Sequence, residues 1–271
     1  MHPMSLFEAR LKPRPVLLSA VVALAVSAAA CGGGSQPSSE SAAPAAPAAT
    51  PSGQKVDESK AGAVTGKVVL EGASPKAEPI KMNADPICVR ENKAGAFSEA
   101  FMVKDGALAN VFVYVKDGLG NYVYDTPTTA LKLDQDGCRY HPHVFGIRVG
   151  QPLEIVNSDP TLHNIHATPK VNTEFNTGQP IEGMKSTHTF TAKEVMVPFK
   201  CDVHGWMNAY AGVLDHPYFA VTGEAGTFEL KSLPAGTYTI EAWHERLGPQ
   251  TQSVTIGEKE SKEITFTFKM T

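Results

Sequence analysis

Seven of the nine histidines fall between His141 and His216, and a cysteine, Cys201, lies inside that window. The segment NSDPTLHNIHA presents His163 and His166, and PFKCDVHGWMNAY presents Cys201, His204 and Met207. Imidazole, thiolate and thioether together form a copper ligand set. A thiolate and two imidazoles hold the ion in a roughly trigonal plane, and a weak axial thioether tunes its potential, so that one ion cycles between Cu(I) and Cu(II) with little movement. Read without a metal, the same side chains are surface histidines, a buried or paired cysteine and a core methionine. The thiol favours the metal, because an exported cysteine otherwise drifts towards oxidation.

The remaining candidates are weaker. His166 stands three residues from His163, and on an extended strand that spacing puts the two on opposite faces. It reads either as an additional metal ligand or as a hydrogen-bonded loop histidine. His141 and His143 in RYHPHVFG are two apart and would share a face, but Pro142 interrupts such a strand. His143 is a second candidate for an additional metal position, with an ordinary side chain near a turn as the alternative. Cys88 in NADPICVRE and Cys138 in DGCRYH are expected to pair as a disulfide in an exported chain, the alternative being two free thiols. Trp206 lies between His204 and Met207, where it would shield the metal, present a docking surface or serve as a core aromatic.

The elements that must position these groups are strands. AVTGKVVLEG, NVFVYVKDG, HVFGIRV, PLEIVNS, THTFTAKEVMVPFKC and AYAGVLDHPYFAVT are short, rich in β-branched and aromatic residues, and separated by turns. No amphipathic segment of helical length separates them. The expected fold class is all-β, a β-sandwich whose two sheets share one core. The last fifty or so residues change character: FELKSL and YTIEAW alternate around a Pro-Ala-Gly turn, with QSVTI and KEITFTF following. A small C-terminal β-sandwich domain or extension is expected there. The expected organisation is 1–30 signal peptide, 31–62 flexible tether, 63–215 metal domain with an N-terminal β extension, and 216–271 small β domain.

The leader carries Arg10, Lys12 and Arg14 ahead of an uncharged apolar run from Val16 to Ala30, which is the pattern of an export signal and too short to span a bilayer. The run ends against Cys31 and Gly32. Cys31 is therefore a candidate lipid anchor, with cleavage after Ala30 and a free thiol as the alternative. Without residues 1–30 the chain has 21 basic and 27 acidic side chains, a net charge of -6. Gly32 to Gly53 lacks periodicity and aromatic residues and reads as a spacer.

The stretch from Asn157 to Met207 resembles the copper site of the cupredoxins, the plastocyanin and azurin family. The matching features are Asn157 and His163 after a strand, then Cys201 closing a late strand after VMVPFK, then His204 and Met207 in the adjoining loop. The resemblance implies a Greek-key β-sandwich, one copper ion held by His163, Cys201, His204 and Met207, and one-electron transfer with His204 as the exit near the surface. Met207 follows His204 by three residues, a shorter step than in ordinary plastocyanins. The C-terminal run TFELKSLPAGTYTIEAW resembles carboxypeptidase regulatory-like modules, which implies a part in stability or docking.

A polybasic nucleic-acid binder is excluded by the overall charge of -4, and so no nucleic acid is expected as a partner. No CxxCH haem motif occurs, and the glycines at Gly32 to Gly34 lack the lysine of a phosphate loop. The expected function is an exported, lipid-anchored copper protein at the periplasmic or extracellular face of a bacterial membrane, passing single electrons between redox proteins such as a cytochrome or a membrane oxidoreductase. Two alternatives stand beside it: copper storage or delivery, and a copper-dependent oxidoreductase with a second metal site built from histidines such as His143 and His166.

Overall fold

The computed structural model describes residues 53–270. The signal segment, Cys31 and most of the tether lie outside the described residues. In chain order the first elements are β1 (Gly62–Glu71), the one-turn helix α1 (Pro86–Glu91), β2 (Val103–Lys104), β3 (Ala107–Leu108), β4 (Phe112–Asp117), β5 (Leu131–Asp136) and β6 (Arg139–His141). Then come β7 (Val144–Arg148), β8 (Pro152–Asn157), β9 (His163–Ala167), β10 (Phe175–Gln179), β11 (Lys185–Thr189), β12 (Glu194–Lys200) and β13 (Asn208–Leu214). The last are β14 (Phe219–Val221), β15 (Thr227–Leu233), β16 (Gly236–His244), β17 (Gly248–Ile256) and β18 (Ser261–Lys269).

These strands make an all-β architecture of four sheets. One sheet runs β10-β9-β12-β13-β7 and faces a second, β11-β8-β5-β6. Between them lies a core that includes Leu133, Ile155, Ile165, Phe199 and Cys201. A third sheet, β14-β4-β16-β17, faces a fourth, β15-β1-β3-β2 with β18 alongside β1, and a second core with Val68, Val113, Ile240 and Phe266 fills that space. A third cluster, with Phe112, Tyr114, Val144 and Leu214, joins the two sandwiches.

Alternation explains how one strand serves two cores. In β4, Val113 and Val115 enter the second core while Phe112 and Tyr114 enter the joining cluster, so both faces are covered and the strand reads as a continuous apolar run. In β13, Ala209, Ala211 and Val213 face the first core, and Leu214 lies on the other face. At Gly212 a Cβ would lie 2.2 Å from the Phe112 ring, and at Gly146 it would come within 3.0 Å of that ring and 2.2 Å from Phe219. The two glycines leave the hollow that these rings fill.

The pairing corrects two expectations. The boundary at residue 216 cuts across the sheets, because β1 pairs in parallel with β18 and antiparallel with β15, while β4 pairs with β14 and β16. The C-terminal strands thus need β1 and β4 to complete their sandwich, and the described residues form one compact unit. The tether also ends earlier than residue 62. Gln54 bridges to Tyr122, and the Lys55 ammonium lies 2.7 Å from Asp125.

Candidate metal centre

The loop between β8 and β9 sets the first imidazole. Asn157 closes it on itself, accepting from the Asp159 amide and donating to the carbonyls of Thr161 and Gln179. His163 then opens β9 fully buried. The second loop runs from Cys201 to Met207 and is tied at both ends. The Cys201 amide donates to the Met207 carbonyl, the Met207 amide donates to the His204 carbonyl, and the His204 amide points at Cys201 Sγ from 3.3 Å. Asn164 Oδ1 accepts from the Asp202 amide and lies 3.3 Å from Cys201 Sγ, which ties the two loops together.

These loops bring three donors to one place. His163 Nδ1 and His204 Nδ1 are 2.9 Å apart, and Cys201 Sγ is 3.8 Å from His204 Nδ1. All three ligand atoms lie within 4.8 Å of one another, on residues that are 2% exposed or less. The outward nitrogens meet carboxylates: His163 Nε2 is 2.8 Å from Asp159 Oδ2, and His204 Nε2 is 3.1 Å from Asp85 Oδ2. A carboxylate only accepts, so both Nε2 atoms carry hydrogen and both Nδ1 atoms are turned inward.

The two facing Nδ1 atoms are close enough to share a hydrogen bond. Burial lowers the His163 pKa, but its hydrogen bonds to Asp159 and Cys201 outweigh that and raise it to about 9. Burial likewise disfavours the Cys201 thiolate, yet hydrogen bonds from His163 and His204 bring its pKa down to about 6. Hydrogen bonding thus favours the charged forms of Cys201 and His163, and a metal cation could take the place of the proton between the rings. One thiolate and two imidazole nitrogens suit copper or zinc.

Cys88 and Cys138 are joined by a disulfide, with their sulfurs 2.02 Å apart. The bridge fastens α1 over the site, and Cys88 Sγ lies 3.8 Å from His204 Nε2. Asp85 caps α1, with Oδ1 accepting from the Ile87 amide and Pro86 at the first helical position. Trp206 is half-buried, its ring 5.0 Å from His204 and its Nε1–H donated to the Cys138 carbonyl. Met207 is buried in the core cluster that contains Cys201. His204 is only 2% exposed, which corrects the expectation of a surface exit through it. Asp85, Cys88 and Trp206 pack against its ring.

The two candidates for an additional metal position lie apart from this cluster. His166 faces the other side of β9, as its spacing requires, and both its nitrogens meet carboxylates, Asp202 at 2.8 Å and Glu174 at 2.7 Å. His143 is buried with Nδ1 3.1 Å from the Asn208 carbonyl and Nε2 2.6 Å from Glu245. Because both partners accept, His143 carries two protons and forms an ion pair with Glu245.

That pair predicts a pH dependence. Burial lowers the His143 pKa and raises that of Glu245, but their mutual hydrogen bond and charge outweigh burial, leaving His143 raised above 6.5 and Glu245 lowered below 4.5. His143 stabilises the fold below pH 6.5 and loses its contribution as pH rises through its folded pKa. Glu245 contributes above pH 4.5 and loses its contribution as pH falls. The pair is at full strength between those values, and above them stability falls by up to about 1.4 kcal/mol per pH unit. Urea unfolding of the parent and of Glu245→Gln should differ most near pH 5.5 and converge towards pH 9; a gap constant with pH contradicts the ion pair.

Residue types and order locate Cys201, His163 and His204, but Asp159, Asp85 and Asn164 carry no comparable signal. Asp159 stands four residues before His163 in an ordinary turn sequence, and Asp85 is 119 residues from His204.

No known protein family matches the chain, and no curated protein matches it. Among solved structures it is similar to the Cu-containing nitrite reductase of Thermus scotoductus, at 20% identity over 36% of this chain and 24% of the reductase, with a TM-score of 0.31. A purple cupredoxin from Nitrosopumilus maritimus matches at 22% identity over 30% of this chain and 97% of its own, with a TM-score of 0.27. A methionine-to-alanine variant of amicyanin in its Cu(I) form matches at 17% identity over 37% of this chain and 97% of its own, with a TM-score of 0.28. These likenesses are partial, and the chain spans about a quarter of the reductase's length. The donor set, one cysteine sulfur and two imidazole nitrogens, is one that could hold a metal ion.

Proposed function

We propose that this chain is a copper-binding electron carrier of cupredoxin type, with His163, Cys201 and His204 as the ligands and Met207 as the axial thioether. The observation that carries the reading is the inward convergence of one thiolate and two Nδ1 atoms in a buried pocket whose backbone is already tied in place. When bound, copper supplies a one-electron Cu(I)/Cu(II) couple. The chain's part is to keep the donors in one geometry and to exclude water. Asn164 ties β9 to the second loop through the Asp202 amide, the tied loop restrains Cys201 and His204, and the disulfide-fastened segment covers His204.

The leader and Cys31 support export and a lipid anchor at a bacterial membrane. A redox protein, such as a cytochrome or a membrane oxidoreductase, is the proposed partner, and Trp206, half-buried against His204, is the proposed route to it. Burial of all three donors favours a retained ion over an exchangeable one. Among the described residues, His143 and His166 lie apart from the cluster and are held by carboxylates, which favours the carrier reading over an oxidoreductase with a second site built from them.

The test is a Cu(II) titration followed by visible absorption and electron paramagnetic resonance, run on the parent and on Cys201→Ser. One equivalent should give an intense visible band that is bleached by reductant and lost in the serine variant. A weak copper signal unaffected by the substitution overturns the electron-transfer reading and favours storage or a structural role.

A further inference from the structure

Each ligand imidazole is backed by a carboxylate that neither its own loop chemistry nor the ligand motif calls for. We infer that Asp85 and Asp159 are a pair of positioning residues, fixing both imidazoles with Nε2 protonated and Nδ1 turned inward, and biasing the bound copper towards Cu(II). The inference rests on the copper reading above for its second half only.

Neither carboxylate is free to turn away. Asp159 is 2% exposed and receives the Gly137 and Cys138 amides, each at 2.8 Å, on its two oxygens, while Oδ2 also faces His163. Those amides belong to the two-residue turn joining β5 to β6, in which both central residues have positive φ, 57° at Gly137 and 56° at Cys138. The turn thus aims two donors at one carboxylate. Asp85 is held by the Thr161 hydroxyl on Oδ2 and the Ile87 amide on Oδ1, each at 2.7 Å. Its segment is fastened to the same turn by the Cys88–Cys138 bridge and by Asn92 Nδ2, which donates to the Gly137 carbonyl at 3.0 Å. One turn therefore anchors both carboxylates.

The chemical consequence has two parts. A carboxylate on the far nitrogen selects the tautomer and ring orientation and makes the imidazole a stronger donor. Its negative charge, acting in a poorly solvated site, also favours the more highly charged state of the metal. With one such group on each histidine, Cu(II) gains more than Cu(I).

The experiment has two arms on the full chain. In the first, nitrogen-15 NMR of the metal-free protein reads which ring nitrogen of His163 and His204 carries hydrogen. The parent should show Nε2–H on both, and Asp159→Ala and Asp85→Ala should each lose that preference at their own histidine only. Unchanged spectra overturn the positioning role, whatever metal the site takes. In the second, Cu(II) and Cu(I) affinities are measured separately for Asp159→Asn and Asp85→Asn, which keep the shape and remove the charge. Each should weaken Cu(II) by about tenfold while leaving Cu(I) within about twofold, raising the reduction potential by about 59 mV per tenfold change in the ratio. Equal loss in both oxidation states marks a merely structural role and overturns the bias. A parent without a cysteine-dependent visible band fails the copper reading, while the NMR arm still decides the positioning. Asp85, at the rim, carries both arms by itself if the Asp159 variants do not fold.

Discussion

The double variant Cys88→Ser/Cys138→Ser should unfold about 4 kcal/mol more easily than the parent, the chain-entropy value for a bridge spanning 50 residues. Both cysteines are fully buried, and each serine would place a hydroxyl where a sulfur now packs, so native-state losses add to the entropy. The effect should reach the metal site as well. Cys138 holds a backbone conformation that a residue with a side chain rarely adopts, and the bridge, with Asp159, helps to keep it there. Without the bridge, Asp85 keeps Thr161 and His204, on a short helix tied to the β5–β6 turn only through Asn92. Urea midpoints, with amide exchange across residues 85–92, check both points. A loss below about 1 kcal/mol would mean that Asn92, with Asp85 on Thr161 and His204, holds this segment unaided.

Phe112→Ala should cost about 3 to 5 kcal/mol, the range for a buried aromatic whose surroundings collapse only in part. Phe112 is fully buried, stacks on Phe219 with ring centroids 5.8 Å apart and occupies the hollow over Gly146 and Gly212. Those glycines belong to β7 and β13, a parallel pair whose ladder prevents the backbone from moving in to fill the gap. Because the ring joins the two sandwiches on the far side of β13 from Cys201, the visible copper band should survive while the unfolding midpoint falls. Loss of the band with little change in stability would mean that the joining cluster supports the site more directly than its position indicates.

The two substitutions bear on different parts of one design. The sheets β10-β9-β12-β13-β7 and β11-β8-β5-β6 supply the ligand loops, and the joining cluster braces their outer face against a second sandwich. A reading in chain order places the boundary at residue 216 because composition changes there. Parallel pairing of β1 with β18 joins residues about two hundred positions apart, and a local pattern carries no trace of such a partner.

What the sequence by itself determined is local: strand character, from the alternation in β4 and β16; the donor types, from the order His163, Cys201, His204; and the divergence of His163 and His166, from the two-residue period of an extended chain. Tertiary structure alone decided that His204 is buried rather than exposed, that Asp85 and Asp159 sit behind the imidazoles, and that His143 pairs with Glu245. Each of these depends on where a distant or irregular segment comes to rest. Loop conformation follows from hydrogen bonds and bridges made after the sheets assemble, so the residues that tune the site are visible only once the chain has folded around it.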